Sequence, residues 1–270
     1  MAEGFPVVPA SDYDQMVDWE RRLGREAPFF RELFERVGVD RIVDVGCGSG
    51  KHAIMFREWG REVVCVDPSE SMLEQAAENA EAAGVDLRLI EGGFGGLRPL
   101  VGTGWDGVLT LGNGLPHVSG IEGLHAALRD FAAILRPGGV AVLHLLNHAR
   151  LITHRIRMMP PTMRATPEGD RVFLKVLDYV EGGIMFDFVT ITRDPGVVVS
   201  AHNAFACGES EQTGWHLRSR RSVHTALPVS LLTSALVEAG FEDIELYGNH
   251  AGKALDLDAD ESVIVVAHRA

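Results

Sequence analysis

The sequence predicts an α/β fold: a mostly parallel seven-stranded sheet with helices on both faces, interrupted by an antiparallel β insertion. Three observations lead there. From Arg41 onward, short β-branched runs alternate with stretches of helical period. Glycine and proline breakers stand where helices should start or stop. One block, residues 148–225, changes to period-two alternation between turn signals.

The sheet strands are expected at Ile42–Val45, Glu62–Val66, Leu87–Glu91, Gly107–Leu111, Val140–Leu146, Glu242–Tyr247 and Ser262–His268. Helices are expected at His52–Trp59, Ser69–Ala83, Ile121–Leu135 and Val229–Ala239. Pro137-Gly138-Gly139 closes the third, and Pro228 and Gly240 bound the fourth. Tyr13–Val37 reads as one or two amphipathic helices ahead of the sheet. The inserted block opens with a Pro- and Arg-rich stretch (Arg155, Arg157, Pro160, Pro161, Arg164, Pro167). Strands follow at Val172–Val180, Ile184–Thr192, Val197–Phe205 and Trp215–His224, with turns at Gly182-Gly183 and Asp194-Pro195-Gly196. The expected organisation is an N-terminal helical lid over 1–40, a core made of 41–147 and 226–270, and a substrate cap over 148–225.

Composition bounds the partners. With 270 residues, 46% hydrophobic and 23% charged, the chain can bury a core without disulfides and is not a disordered segment. Apolar runs are strand-sized, so no membrane span is expected. The opening MAEGFPVVPA has neither a basic n-region nor a continuous apolar stretch, and a cytoplasmic location is expected. Cys47, Cys65 and Cys207 are widely spaced and form no C-x-x-C pair, which argues against a zinc site and suits a reducing compartment. A net charge of −13 repels polyanions, so nucleic acid is not an expected partner. The inserted block departs from that balance, with ten basic residues against eight acidic ones and five of the eleven histidines.

The chemistry is concentrated in Ile42-Val43-Asp44-Val45-Gly46-Cys47-Gly48-Ser49-Gly50, a strand running into a glycine bend that opens a helix. Glycines there let the backbone turn and approach a ligand, and the helix start offers unpaired N–H groups. A second strand ends in Val66-Asp67, setting a carboxylate 21 residues past Gly46, where it can accept hydrogen bonds from both hydroxyls of an adenosine ribose. The dinucleotide fingerprint is G-x-G-x-x-G. This chain has G-x-G-x-G, which disfavours a nicotinamide cofactor.

That loop resembles the first motif of the Rossmann-like class I S-adenosylmethionine-dependent methyltransferases. Asp67 matches their second motif, Gly92-Gly93-Phe94 falls at their adenine contact, Trp105-Asp106-Gly107-Val108-Leu109 matches the fourth strand, and Leu135-Arg136-Pro137-Gly138-Gly139 the turn before the fifth. The resemblance implies S-adenosyl-L-methionine as cofactor and a reversed hairpin at one sheet edge. Leu111-Gly112-Asn113-Gly114-Leu115-Pro116-His117-Val118 is similar to the loop lining the transfer site in glycine/sarcosine N-methyltransferase-type enzymes. From the resemblance, the cofactor set is Arg22, Asp44, Gly46, Cys47, Gly48, Asp67, Pro68, Met72, Gly93, Phe94 and Leu111, with Arg22 on the methionine carboxylate. Tyr13 is placed where an aromatic closes over the cofactor. His117, Tyr13 and Asn113 are the candidate catalytic residues, His117 as first base and Tyr13 as second. Leu146 stands where those relatives carry a substrate-gripping arginine, so glycine is not the expected acceptor.

Blander readings stand beside these. The glycines suit a plain tight turn, Asp67 a helix N-terminus ahead of Ser69, Phe94 core packing, and Cys47 a small loop residue without redox role. Asp44 is expected to bond either loop amides or the cofactor amino group. His117 can equally cap a turn. His144, His148 and His154 lack an acid or cysteine at ligand spacing, so no metal is expected. Arg150, Arg155 and Arg157, and the run Arg218, Arg220, Arg221, read as solvated faces, as does the acidic run Asp256, Asp258, Asp260, Glu261. The expected function is methyl transfer to a small-molecule acceptor, most simply at nitrogen, by in-line displacement in a capped cleft. Alternatives are a methyltransferase acting on protein or RNA, a non-catalytic cofactor-binding module, and a nicotinamide-dependent oxidoreductase. A homodimer through exposed strands of the insertion is compatible with the sequence.

Overall fold

The computed structural model describes residues 10–166, 169–194 and 214–270. Two helices lead, α1 (Ala10–Met16) and α2 (Trp19–Val37). The core then runs β1 (Arg41–Val45), α3 (Lys51–Glu58), β2 (Glu62–Asp67), α4 (Glu70–Ala83), β3 (Arg88–Glu91), α5 (Leu97–Val101), β4 (Trp105–Thr110), α6 (Gly120–Ile134) and β5 (Leu135–Leu146). After α7 (His148–Thr153) come β6 (Thr162–Thr166), β7 (Gly169–Val180), β8 (Gly183–Arg193) and β9 (Trp215–Thr225). The chain returns through α8 (Val229–Glu238), β10 (Phe241–Tyr247) and β11 (Ser262–Arg269).

The main sheet has the order β10-β11-β5-β4-β1-β2-β3. Strands β1 to β5 pair in parallel, and β11 runs antiparallel to both β5 and β10. These strands are buried on both faces, so they read as continuous apolar runs instead of alternating ones. Chain order reverses at β1, which has β2 on one side and β4 on the other. Ligands of open α/β sheets bind at such a switch point, outside the carboxyl ends of the strands.

Local signals explain the helix limits. Asp18 caps α2 by accepting from Arg21 N–H at 3.2 Å, Ser69 caps α4 by accepting from Met72 N–H at 3.4 Å, and Gly38 and Gly84 end those helices in the left-handed region. One face of α2 buries Phe30, Leu33 and Phe34 against Phe56 of α3 and the strand residues Ile42, Val140 and Val142. The opposite face of the sheet packs on α6 and α8 through Leu124, Leu128, Phe131, Leu232 and Leu236.

The second sheet, β6-β7-β8-β9, is antiparallel throughout. The sequence reading missed β6, which pairs with β7 from within the Pro- and Arg-rich stretch, because five residues alternating between half-buried and exposed carry little periodic signal. The expected strand Val197–Phe205, its preceding Pro195-Gly196 turn, Pro167 and Cys207 lie outside the described residues. Three other expectations need correction. Pro137-Gly138-Gly139 does not separate α6 from β5: the strand begins at Leu135 and absorbs them in an irregularity between the pairs Trp105↔Leu135 and Gly107↔Val140. Gly139 permits this, since a Cβ there would meet Arg136 O at 2.9 Å. Strand β4 ends at Thr110, which leaves Leu111 in the loop. Arg218 and Arg221 do not share a face, for Arg218 lies 3.7 Å from Asp12 and Arg221 pairs with Asp187 at 2.8 Å, as an odd spacing along a strand requires.

Candidate active site

The glycine bend leaves β1 with Gly46, Gly48 and Gly50 at φ of 73°, 55° and 76°. L-residues with side chains rarely hold that region. At Gly50 the space is also closed, because a Cβ would stand 3.0 Å from Ala76 Cβ of α4. Gly46 N–H donates to Val66 O at 2.7 Å, tying the bend to β2.

Asp67, the last residue of β2, closes the bend from the other side. Its Oδ2 accepts from Gly48 N–H at 2.8 Å and its Oδ1 from Ser69 N–H at 2.9 Å. Burial raises its pKa, and the two backbone N–H groups oppose that rise. Each oxygen retains acceptor capacity for a further donor. This corrects the loop-amide reading of Asp44: the loop amide goes to Asp67. Asp44 is fully buried, its Oδ1 has no hydrogen-bond partner among the described residues, and burial, then the charge of Asp67, pushes its pKa up to about 7. Cys47 keeps its proton, since its contact with Cys65, then burial, raises the thiol well above its ordinary value.

Around the bend stand the other expected cofactor residues. A Cβ added at Gly46 would lie 4.0 Å from Phe94 Cζ, and one at Gly93 would lie 4.0 Å from Pro68 Cβ. Met72 is buried in the first turn of α4, and Leu111 is buried beyond β4. Across from them, the Tyr13 ring faces Gly48, and its hydroxyl and the Arg22 guanidinium both crowd Gly112, within 3.3 and 3.7 Å of where a Cβ would be. Arg22 Nε donates to Glu26 Oε1 at 2.9 Å, while Arg22 Nη2 is buried and unbonded among the described residues. Burial raises the Tyr13 pKa against the opposing charge of Arg22, so the phenol is protonated at neutral pH. In that state the hydroxyl can donate a hydrogen bond.

Three buried polar atoms around one bend thus lack hydrogen-bond partners among the described residues: Arg22 Nη2, Asp44 Oδ1 and Thr110 Oγ1. Buried polar groups in folded proteins are satisfied, so this set fits a bound polar molecule bearing donors and an anionic group. The glycine bend leaves room for it, and Asp67 offers acceptors beside it.

The loop after β4 forms the remaining wall. Gly112 and Asn113 both have positive φ, 68° and 72°. Asn113 donates its N–H to His144 O at 3.0 Å, accepts at Oδ1 from Leu146 N–H at 2.9 Å, and sets Nδ2 3.2 Å from His224 Nδ1. Its side chain is thereby committed to holding the loop between β5 and the second sheet, which makes it a positioning residue. His117, in a 3-10 turn over Leu115–His117, stacks obliquely on His224 at 4.3 Å between ring centres, and Phe186 lies 4.4 Å from His224. Burial lowers the pKa of His117, and burial followed by the charges of His117, His148 and Lys175 lowers that of His224 to about 2. Both rings are neutral at pH 7.

His224 and Lys175 were missed in the sequence. Strand alternation puts Phe173, Lys175 and Leu177 on one face of β7, and Phe173 and Leu177 are buried on it. The pairs Lys175↔Phe188 and Ile184↔His224 extend that face across β8 and β9. The sequence holds both strands, but not which of their faces meets the main sheet. The histidines weighed for a metal do not gather: His148 Nδ1 accepts from Leu227 N–H at 2.9 Å, and His154 lies 3.9 Å from Asp258 at the surface. Arg157 pairs with Asp178 at 2.7 Å, and Arg150 donates to Asp258 O at 3.2 Å, as solvated residues do.

Residues 42–139 match the family described as Methyltransferase domain. A glycine/sarcosine N-methyltransferase of Halorhodospira halochloris is 30% identical over 142 residues, 53% of this chain and 53% of that protein. The match therefore spans about half the length of that relative. Another from Aphanothece halophytica is 25% identical over 253 residues, 92% of this chain and 82% of its own. The crystal structure of an S-adenosylmethionine-dependent methyltransferase from Clostridium acetobutylicum superposes with a TM-score of 0.74 at 14% identity, covering 96% of this chain and 97% of that one. Residues 42–139 carry a methyltransferase domain. That matched segment runs from β1 through the start of β5 and holds the glycine bend, Asp67, Phe94 and the loop of Asn113 and His117. Tyr13 and Arg22 before it, and Lys175 and His224 after it, complete the walls from outside that segment.

Proposed function

We propose that this protein is a class I S-adenosylmethionine-dependent methyltransferase that moves a methyl group from S-adenosylmethionine to a nitrogen atom of a small-molecule acceptor. Its relatives from Halorhodospira halochloris and Aphanothece halophytica are glycine/sarcosine N-methyltransferases, which supports the choice of atom. When bound, S-adenosylmethionine supplies an electrophilic methyl on a sulfonium and leaves as a neutral thioether. The protein then needs to orient the partners and exclude water more than to provide strong acids or bases.

In this reading Asp67 accepts from the ribose hydroxyls, Phe94 and Met72 flank the adenine with Pro68 and Gly93, and the bend at Gly46, Cys47 and Gly48 approaches the amino-acid tail. Arg22 binds the tail carboxylate through Nη2, Asp44 takes the amino group, and Leu111 walls the transfer point. The N-terminal helices form a lid and the second sheet a cap, meeting over the carboxyl ends of β1 and β4. The acceptor lies between the Tyr13 hydroxyl, the His117 and His224 rings, and Lys175. His117, neutral and half-buried, is the group placed to take a proton from the acceptor. Exposed strands at the edges of the second sheet supply the surface for a homodimer, and the protein works in the cytoplasm. No helix among the described residues is long and apolar enough to cross a membrane.

The observation that carries this reading is the set of orphaned polar atoms, Arg22 Nη2, Asp44 Oδ1 and Thr110 Oγ1, around the glycine bend. Calorimetry on the full chain with S-adenosylmethionine and S-adenosylhomocysteine tests it first, with one-site binding of both expected. Transfer of labelled methyl to glycine, sarcosine and a panel of amino sugars and other small amines tests it second. Absence of heat with both nucleosides would remove the reading, and label appearing only in added protein or RNA would replace the acceptor class.

A further inference from the structure

Behind Arg22, three ligand-type side chains converge from distant parts of the chain: Glu26 of α2, His144 of β5 and His250 in the connection between β10 and β11. One ligand atom from each lies within 4.8 Å of the others. Glu26 is buried and the two imidazoles are half-buried, with the rings edge to face at 4.9 Å and His250 Nδ1 3.8 Å from Glu26 Oε1. His144 Nδ1 and His250 Nε2 are buried without hydrogen-bond partners among the described residues, so each ring carries a nitrogen that the fold leaves unused. His52 Nε2, 2.6 Å from Glu26 Oε2, fixes the carboxylate from behind.

The protonation states suit coordination. Burial lowers the pKa of His250 to about 4 and that of His144 well below its ordinary value, so both rings are neutral with a free lone pair. Burial alone would raise Glu26, but the hydrogen bond from His52 and the charge of Arg22 outweigh it and keep the carboxylate ionised. Two neutral imidazoles and one carboxylate are the donors that zinc and its neighbours prefer, whereas magnesium and calcium want oxygen-rich cages.

We propose that Glu26, His144 and His250 form a binding site for a divalent transition metal of the zinc class. Donor bonds in such sites are about 2.0–2.1 Å, so the three atoms must draw together by roughly 1 Å, and the His250 ring, held between Phe29 and Phe30, keeps its place beside Glu26 and His144. The site shares Glu26 Oε1 with Arg22 Nε, and the nearby guanidinium repels a cation. The metal is therefore held less tightly than in a structural zinc site, and its occupancy changes how firmly Glu26 holds Arg22.

The test uses tag-free full-length protein, stripped with a chelator and titrated with cobalt(II) and then zinc(II). The expected result is one equivalent of cobalt with visible absorption bands of an imidazole site, displaced by zinc. Affinity should fall at least tenfold in His250→Ala and in His144→Gln, and stay within twofold in His154→Ala. No saturable binding at one equivalent, or binding that His250→Ala leaves unchanged, overturns the proposal. Circular dichroism checks folding, and the space-conserving His250→Gln, which should also lose at least tenfold in affinity, decides the matter where His250→Ala or His144→Gln does not fold. Since the readout is metal binding, its failure is separate from any failure of the methyl-transfer reading.

Discussion

Arg171 of β7 donates a hydrogen bond from Nη1 to Asp12 Oδ1 of α1 at 2.6 Å, fastening the N-terminal helix to the second sheet. Two residues on, Asp14 accepts from Trp19 Nε1 at 3.0 Å, from Asn79 Nδ2 at 2.9 Å and from the Ser49 hydroxyl, which fastens the same helix to the glycine bend. Tyr13 lies between these two tethers. Loss of a buried charge-assisted bond costs about 1.5–3 kcal/mol. In Asp12→Ala, amide exchange across Ala10–Met16 should accelerate and S-adenosylhomocysteine affinity should fall several-fold. Unchanged exchange in that helix would show that the tether does not hold it.

Asp67 and His117 stand on opposite walls, and their variants should separate binding from turnover. If Asp67 accepts from two sugar hydroxyls as proposed, Asp67→Ala should weaken S-adenosylhomocysteine binding by about two orders of magnitude, at roughly 1.5 kcal/mol per bond to a charged group. His117→Ala should leave that affinity within twofold and lower turnover. Calorimetry beside a labelled-methyl assay reads both, and equal loss of affinity in the two variants would contradict the division.

Asp44 makes the stability of the ligand-free protein depend on pH. Its folded pKa, raised to about 7 by burial and then by Asp67, means that the folded state holds a proton the unfolded state has lost above its ordinary value of 3.8. That contribution is fully present below about pH 4, declines as pH rises, and is gone above about 7. Three units correspond to a limit of roughly 4 kcal/mol. Asp44→Asn should therefore melt higher than the parent at pH 8, with the gap closing toward pH 4, while binding S-adenosylmethionine about tenfold more weakly at pH 8. A gap independent of pH in thermal melts would reject this account.

Lys175 predicts the character of the acceptor. The chain has three lysines. Lys51 pairs with Asp14 at 3.8 Å and Lys253 with Asp260 at 3.4 Å, but Lys175 has no carboxylate within pairing distance among the described residues. It stands 5.7 Å over the Phe188 ring, and burial, then the charge of Arg22, lowers its pKa. A half-buried cation with no carboxylate partner among the described residues suits an acceptor that brings an anionic group. Lys175→Gln should raise KM about tenfold for amines bearing a carboxylate or phosphate and leave neutral amines unaffected, and Lys175→Arg should retain most activity. Equal effects on charged and neutral amines would assign Lys175 a purely structural part.

The main sheet was readable from the sequence because its strands are buried on both faces and each is bounded by glycine, proline or a capping residue, as at Ser69 and Gly84. The glycine bend and Asp67 were readable for a related reason: they are close along the chain, and their spacing carries the geometry. What lay hidden depends on contacts across long separations. His224 meets Asn113 over 111 positions, and Arg171 meets Asp12 over 159. The same limit applies to His144, which has no acid at ligand spacing along the chain yet finds Glu26 through the packing of α2 on the sheet.

The carboxylate of Asp67 already grips the amide of Gly48 and the amide of Ser69 before any nucleoside arrives. The loop is consequently set in shape by the protein's own bonds, and little conformational entropy is left to surrender when the guest docks. Association at this end of the cleft should be fast and shape-selective, so the slow, adaptive part of the cycle falls to the opposite wall, where the two sheets and the first helix meet.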